Sequence, residues 1–284
     1  MNKNKLIVAN DIESNIDDSL NIKRRRRGIY NGVQDTDIIV KVHGTDEVLF
    51  RGSNKIVLAG SDFTACKHFD IKPKVKTPTY NEVLKLDHTQ PDTEYTGNGY
   101  RPDYKICLFN VGVGGCNPVD TAQRYVPKRS SWISEEEIVP FRYRASTDDL
   151  TASMRKKYFG RQLKGDYVAY NFKAFDAEPE MFRQYTDGTP IDENVYLTER
   201  TDDIEIIMQC KMSILKEDCR EFFKETVGLD SANISSISLL YAYPVEIDGY
   251  IYYQDVRPAT RYNFATEQLI DLSKGIDFIY NLYY

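Results

Sequence analysis

"DIEIIMQCKMSI" occupies residues 203–214. Ile204, Ile206, Met208, Cys210, Met212 and Ile214 are apolar, and most residues between them are polar. Alternation sustained over six positions is the period of a strand with one buried face. A helix is expected next. In "KEDCREFFKETVG" (216–228), Cys219, Phe222, Phe223 and Val227 recur at helical spacing, and Gly228 supplies the stop. "ISSISLLYAY" (234–243) alternates again through Ile237, Leu239, Tyr241 and Tyr243. "IDG" (247–249) then turns the chain into "YIYYQDV" (250–256). The order strand, helix, strand, strand is that of half a ferredoxin-like fold, with the helix covering one sheet face. Cys210 and Cys219 would both point into that seam, buried and reduced. The expected fold class is therefore α+β: a β-rich main part with a C-terminal β-α-β-β subdomain over residues 201–284.

Working upstream, "DYVAYNFKAF" (166–175) alternates like a strand, and "YTDGTPIDENVY" (185–196) is a turn-rich link. "STDDLTASMRKKYFGR" (146–161) predicts a helix. Thr147 would cap it, Asp148 and Asp149 would sit in its first turn, cations lie near its end, and Gly160 would stop it. "TDIIVKVHG" (36–44) and "EVLFRGSNKIVLAG" (47–60) are strand-like, the second a hairpin turning at Gly52-Ser53-Asn54. Residues 72–103 carry Pro73, Pro78, Pro91 and Pro102 and form a long connection, a length that usually marks function or interaction. Residues 1–32 have few large apolar side chains and read as a flexible basic arm. The expected organisation is thus this arm, a β-rich domain over 33–200 containing the long loop, and the C-terminal subdomain.

Composition narrows the function classes. Hydrophobic residues make up 41% and charged residues 28% of the 284, which suffices for a substantial core. The formal net charge of −6 argues against the whole molecule being built for nucleic acid. No apolar run approaches the length of a membrane-spanning helix, and the first residues lack a signal-peptide pattern, so a cytoplasmic site of assembly and no membrane partner are expected. Five Cys without a CxxC pair predict reduced thiols and no structural zinc. Of 21 Tyr, nine fall in the last 44 residues, where rings with a polar tip suit strands or wet interfaces.

The stretch that most invites a catalytic reading is "KICLFNVGVGGCNPVD" (105–120), where an apolar run meets glycines. A dinucleotide loop needs a third Gly where Asn117 stands, and a Walker loop needs Lys-Ser or Lys-Thr. Pro118 removes one N–H that would face an anion. The alternative is a strand leaving the core through a tight turn, with Gly112, Gly114 or Gly115 at positive φ. His43, Cys66, His68 and His88 have no zinc-ligand spacing, and neither HExxH nor GxSxG occurs. Acid clusters at Asp176, Glu178 and Glu180, and at Asp202, Asp203 and Glu205, would serve a glycosidase only across a cleft. No catalytic, metal or cofactor-binding residue and no small-molecule substrate is expected. The interface candidates are the cations Lys23, Arg24, Arg25, Arg26 and Arg27, the stretch Trp132, Phe141, Arg142, Tyr143 and Arg144, and the terminal pair Tyr283 and Tyr284.

"KICLFNVGVGGC", "EEIVPFRYR", "MRKKYFGR" and "YQDVRPATRYNFATEQLIDLSKGIDFIYNLYY", taken together over residues 100–284, resemble virion structural proteins of large tailed bacteriophages. The resemblance implies a non-enzymatic subunit assembling in many copies at the neck, tail or baseplate. Its partners would be copies of itself and other virion proteins, with assembly in the host cytoplasm and residence in the mature virion. Two rivals stay open. One is a carbohydrate-active or hydrolytic enzyme using the acidic clusters. The other is a nucleic-acid-binding module using Lys23 to Arg27.

Overall fold

The computed structural model describes residues 35–54, 58–68, 70–71, 78–90, 97, 99–119, 124–127, 133–185, 188–191, 204–228, 233–263, 270–271 and 275–284. In chain order the strands are β1 (Asp35–Val42), β2 (Val48–Asn54), β3 (Lys105–Gly112), β4 (Cys116–Val119), β5 (Arg124–Pro127), β6 (Ile138–Val139), β7 (Arg142–Ala145), β8 (Tyr158–Lys164), β9 (Tyr167–Ala174), β10 (Glu180–Tyr185), β11 (Ile204–Ile214), β12 (Asn233–Ile234), β13 (Ser236–Ile247), β14 (Tyr250–Asn263), β15 (Ile270–Asp271) and β16 (Ile276–Tyr283). The α-helices among the described residues are short: α1 (Leu58–His68), α2 (Tyr80–Val83) and α3 (Arg220–Val227). Two antiparallel sheets dominate, and the contacts gather into two units, each discontinuous in sequence.

The first unit takes in residues 1–56, 176–213 and 276–284. Its sheet has the spatial order β10-β11-β16-β1-β2. Register decides which side chains share a face. Ile38 lies opposite Tyr280, and Val40 opposite Phe278, and all four are buried. The other face carries polar pairs: Gln209 donates to Asn281 at 3.0 Å, and Ser213 to Asp277 at 2.7 Å. Cys210 and Met212, of opposite parity, therefore join the apolar face, and both are buried. A turn at residues 43–47 joins β1 to β2. Gly44 takes φ +72°, and the Thr45 hydroxyl donates to the Val42 carbonyl at 3.0 Å.

The second unit comprises residues 57–175 and 214–275. Its sheet runs β14-β13-β3-β9-β7, with β6 on β3 and β8 on β9. The β13–β14 hairpin turns at Asp248 (φ 52°) and Gly249 (φ 78°), two positive-φ residues that match strand twist. Tyr80, Leu84, Leu108, Ile133, Phe159, Phe172, Leu240 and Val256 form the core. Helix α2 carries a complete capping box between Thr79 and Glu82, which lets a single turn hold Tyr80 inside.

Strands β9 and β11, helix α3, the "IDG" turn and the following strand occur where expected. The ferredoxin-like half does not. Strand β11 pairs with β10, whereas β13 and β14 belong to the other sheet, so the four elements share no sheet. Cys210 and Cys219 accordingly fall in different units. Gly52-Ser53-Asn54 is no turn either: it continues β2 against Thr36 to Ile38, and α1 follows. The helix expected over 146–161 is replaced by 3₁₀ turns at Ser146–Asp148 and Met154–Lys156 and by β8. Asp149 turns its carboxylate to its own neighbour, the Leu150 N–H, at 2.6 Å, a local bond that competes with a helix.

Candidate functional site

In the second unit, charged side chains converge where the turn before α3 meets β7, β8 and β9. Lys173 on β9 is in register with Tyr158 on β8 and with Phe109 on β3, so the three side chains share a face. The turn at residues 215–218 brings Asp218 to that face. Asp218 Oδ2 accepts from Lys173 Nζ at 2.7 Å and from the Leu215 N–H at 3.0 Å, and Oδ1 accepts from the Tyr158 hydroxyl at 2.7 Å. Burial first, and then the neighbouring Asp218 carboxylate, push the Tyr158 phenol well above its ordinary range. Cys219 follows in the left-handed region at φ 64°, its N–H donating to the Phe141 carbonyl at 2.8 Å.

Above this lies a second pair. Arg142 grips Glu221 with two nitrogens, Nε to Oε2 at 3.1 Å and Nη2 to Oε1 at 2.6 Å, and the Tyr143 N–H also donates to Glu221, at 3.1 Å. Two-point geometry fixes α3 against β7. Burial would lower the Arg142 pKa, yet the hydrogen bond and charge of Glu221 outweigh it and hold it raised. Tyr143 stacks on Tyr167 at 4.9 Å between centroids, with Phe222 edge-on to Tyr143 at 5.5 Å. All of these rings are half-buried.

The interface candidates separate. Lys23 to Arg27 and Trp132 lie outside the described residues. Phe141 is fully buried and packs edge-on against Phe109, so its side chain offers no surface. Tyr283 is also interior, its hydroxyl donating to Asp37 at 2.9 Å, whereas Tyr284 is 40% exposed. Arg142, Tyr143 and Arg144 do come together, but Arg142 and Arg144 are engaged by Glu221 and Asp148.

A smaller hub surrounds Asp149. It accepts from the Tyr170 hydroxyl at 2.7 Å, from Arg155 at 2.6 Å and from Arg161 at 3.0 Å, and Arg161 also binds Asp87. Burial alone would raise the Asp149 pKa, but the Tyr170 and Leu150 donors and the two guanidinium groups hold it below the carboxylate norm. Arg155, Arg161, Tyr170 and Tyr250 help line a cleft of about 30 Å³, which has room for ordered water and not for a sugar ring or nucleotide.

The glycine stretch is spent on packing. The Val113 N–H donates to the Glu137 carbonyl at 2.8 Å, and the Gly115 N–H to Ser235 Oγ at 2.8 Å. A Cβ on Gly112 would lie 2.7 Å from Ile133, and one on Gly115 would lie 2.3 Å from the Ser235 carbonyl. Gly114 takes φ +75° beside the Glu137 carboxylate, a negative group where an anion would have to enter. Among the described residues no group of three or more His, Cys, Asp or Glu converges as a metal site would. No family model matches the chain, and neither a curated protein nor a solved structure matches it.

Sequence reasoning missed Lys173, Asp218, Tyr158 and Asp149. The available signal was Lys173 inside a strand whose neighbours are otherwise aromatic or small. A cation there needs a buried carboxylate, but which one depends on the topology.

Proposed function

We propose that the protein is a structural subunit of a tailed-bacteriophage virion, present in many copies in the neck or in the tail and baseplate. In this reading it assembles in the host cytoplasm, remains in the mature particle, and acts by protein–protein association with no turnover. The sequence resemblance supports the setting. One structural observation carries the mode of action. On the β10–β11 ribbon, Met181 faces Met208, Arg183 faces Ile206 and Tyr185 faces Ile204. These six side chains share one face, an apolar field around one Arg, with Met181 48% and Ile206 37% exposed. Apolar surface left this open beside a cation has the composition of a contact patch. The charged residues described above in the second unit, by contrast, are engaged with one another: Lys173 with Asp218, Arg142 with Glu221, and Arg155 and Arg161 with Asp149.

Light scattering of the full chain over rising concentration, alone and mixed with its fellow virion proteins, tests the association. The expected result is a discrete mass above that of one chain, returning to one chain in Met181→Asp/Ile206→Asp. A one-chain mass in every mixture contradicts the proposal.

A further inference from the structure

We propose that Lys173 and Asp218 are a self-modification site, condensing into an amide that ties β9 to the turn ahead of α3. The inference is independent of any virion role. It rests on three features of the pair. The reacting groups touch, Nζ to Oδ2 at 2.7 Å, with side chains only 4% and 0% exposed. Such a contact sets Nζ about 3–3.5 Å from Cγ, the separation from which attack becomes effectively unimolecular. The surroundings are dry: in-register Tyr158 and Phe109 flank Lys173, and the Tyr158 ring lies 5.6 Å from Nζ. Finally, the two carboxylate oxygens are held differently, Oδ1 by the Tyr158 hydroxyl and Oδ2 by Lys173 and the Leu215 N–H.

These contacts give each atom a role. In the step itself one proton first passes from Nζ to Oδ2 along their 2.7 Å contact, leaving an amine and a carboxylic acid. The Nζ lone pair then adds to Cγ, and the π electrons move onto Oδ1, where the Tyr158 hydroxyl donates to the developing oxyanion. A second proton passes from Nζ to Oδ2. The Cγ–Oδ2 bond breaks, Oδ2 leaves as water, and the carbonyl at Oδ1 reforms. The ammonium's protons end as one on the amide and two on water, and nothing is oxidised or reduced. Tyr158 is a catalytic residue in this step, because it touches the reacting carboxyl.

The test is the intact mass of the full chain, purified folded, incubated at neutral pH and then denatured. The expected mass is the sequence mass less one water, and proteolysis should release a branched peptide joining the segments around 173 and 218. Lys173→Arg keeps the cation without an acylable amine and should retain the full mass while circular dichroism shows the same fold. Tyr158→Phe should slow the loss of water at least tenfold. Full sequence mass in the folded wild-type chain after prolonged incubation overturns the proposal. So does an equal loss of water in Lys173→Arg, which would place the dehydration elsewhere.

Discussion

Lys173 Nζ stands 2.7 Å from Asp218 Oδ2 in a part of the second unit where neither side chain reaches solvent. A charge taken out of water is tolerable there only with its counter-charge beside it. Lys173→Met would strand Asp218, and Asp218→Ala would strand Lys173 and leave the Tyr158 hydroxyl without its acceptor. Relative to chain still at its full sequence mass, in which the pair is uncondensed, either change should cost about 3–5 kcal/mol. The double replacement Lys173→Met/Asp218→Leu should be milder than either single one, since it removes both charges together. Urea denaturation of the three variants measures this, and a double variant that merely adds the single losses would contradict it.

Gly160 and Gly165 make a controlled pair. Both are left-handed, at φ +67° and +60°. A Cβ on Gly160 would sit 2.4 Å from the Phe172 ring, whereas one on Gly165 meets nothing within 4 Å. Gly165→Ala should cost only the backbone term, about 1–2 kcal/mol. Gly160→Ala adds overpacking of about 1–3 kcal/mol, so it should be the worse of the two by that margin in thermal or urea unfolding.

Asp149 predicts an acid-side loss of stability. Its pKa is held below the ordinary carboxylate value when folded, so the unfolded chain binds the proton more readily. The stabilisation is complete above the unfolded value and drains away as pH falls through the folded one. Asp277 behaves alike: burial would raise it, but His43, Ser213 and the Gly44 N–H lower it. Asp149→Asn should cost about 1.5–3 kcal/mol at neutral pH and should flatten the decline of the urea midpoint below about pH 4. An unchanged decline would contradict the hub.

Thiol chemistry should divide the cysteines. Burial pushes the Cys210 thiol up to about 12, and burial and then the Asp218 carboxylate raise Cys219 well above the ordinary thiol value. Neither should react with maleimide under native conditions near neutral pH, while the partly exposed Cys66 and Cys107 should. Rapid native labelling at Cys210 or Cys219, mapped by peptide mass, would show that these interiors open.

Local pattern was readable where one face of an element decides its fate. Strand β11 announced itself because Cys210, Met212 and Ile214 are buried at every second position. Gly228 announced the end of α3 because its φ of 74° suits glycine best. What escaped was pairing over distance. Nothing within residues 204–214 says that β11 joins β16 and β10 in preference to β13, because each of those strands offers an apolar face. In β13, residues from Ser236 to Tyr243 are buried on both faces, so alternation there carried no information on register. The site was illegible for the same reason. Lys173 and Asp218 are 45 positions apart, and only the β8–β9 pairing and the 215–218 turn bring Tyr158, Lys173 and Asp218 together. At 146–161, helix-cap spacing was misleading because Asp149 serves Tyr170, Arg155 and Arg161 instead.

The most direct test of the structural-subunit account is to quantify the chain in gradient-purified particles from the infected host. The account predicts that it co-sediments with the particle at a fixed ratio of many copies and stays there through a high-salt wash. Recovery in the soluble fraction alone, or at a ratio that drifts between preparations, would contradict it.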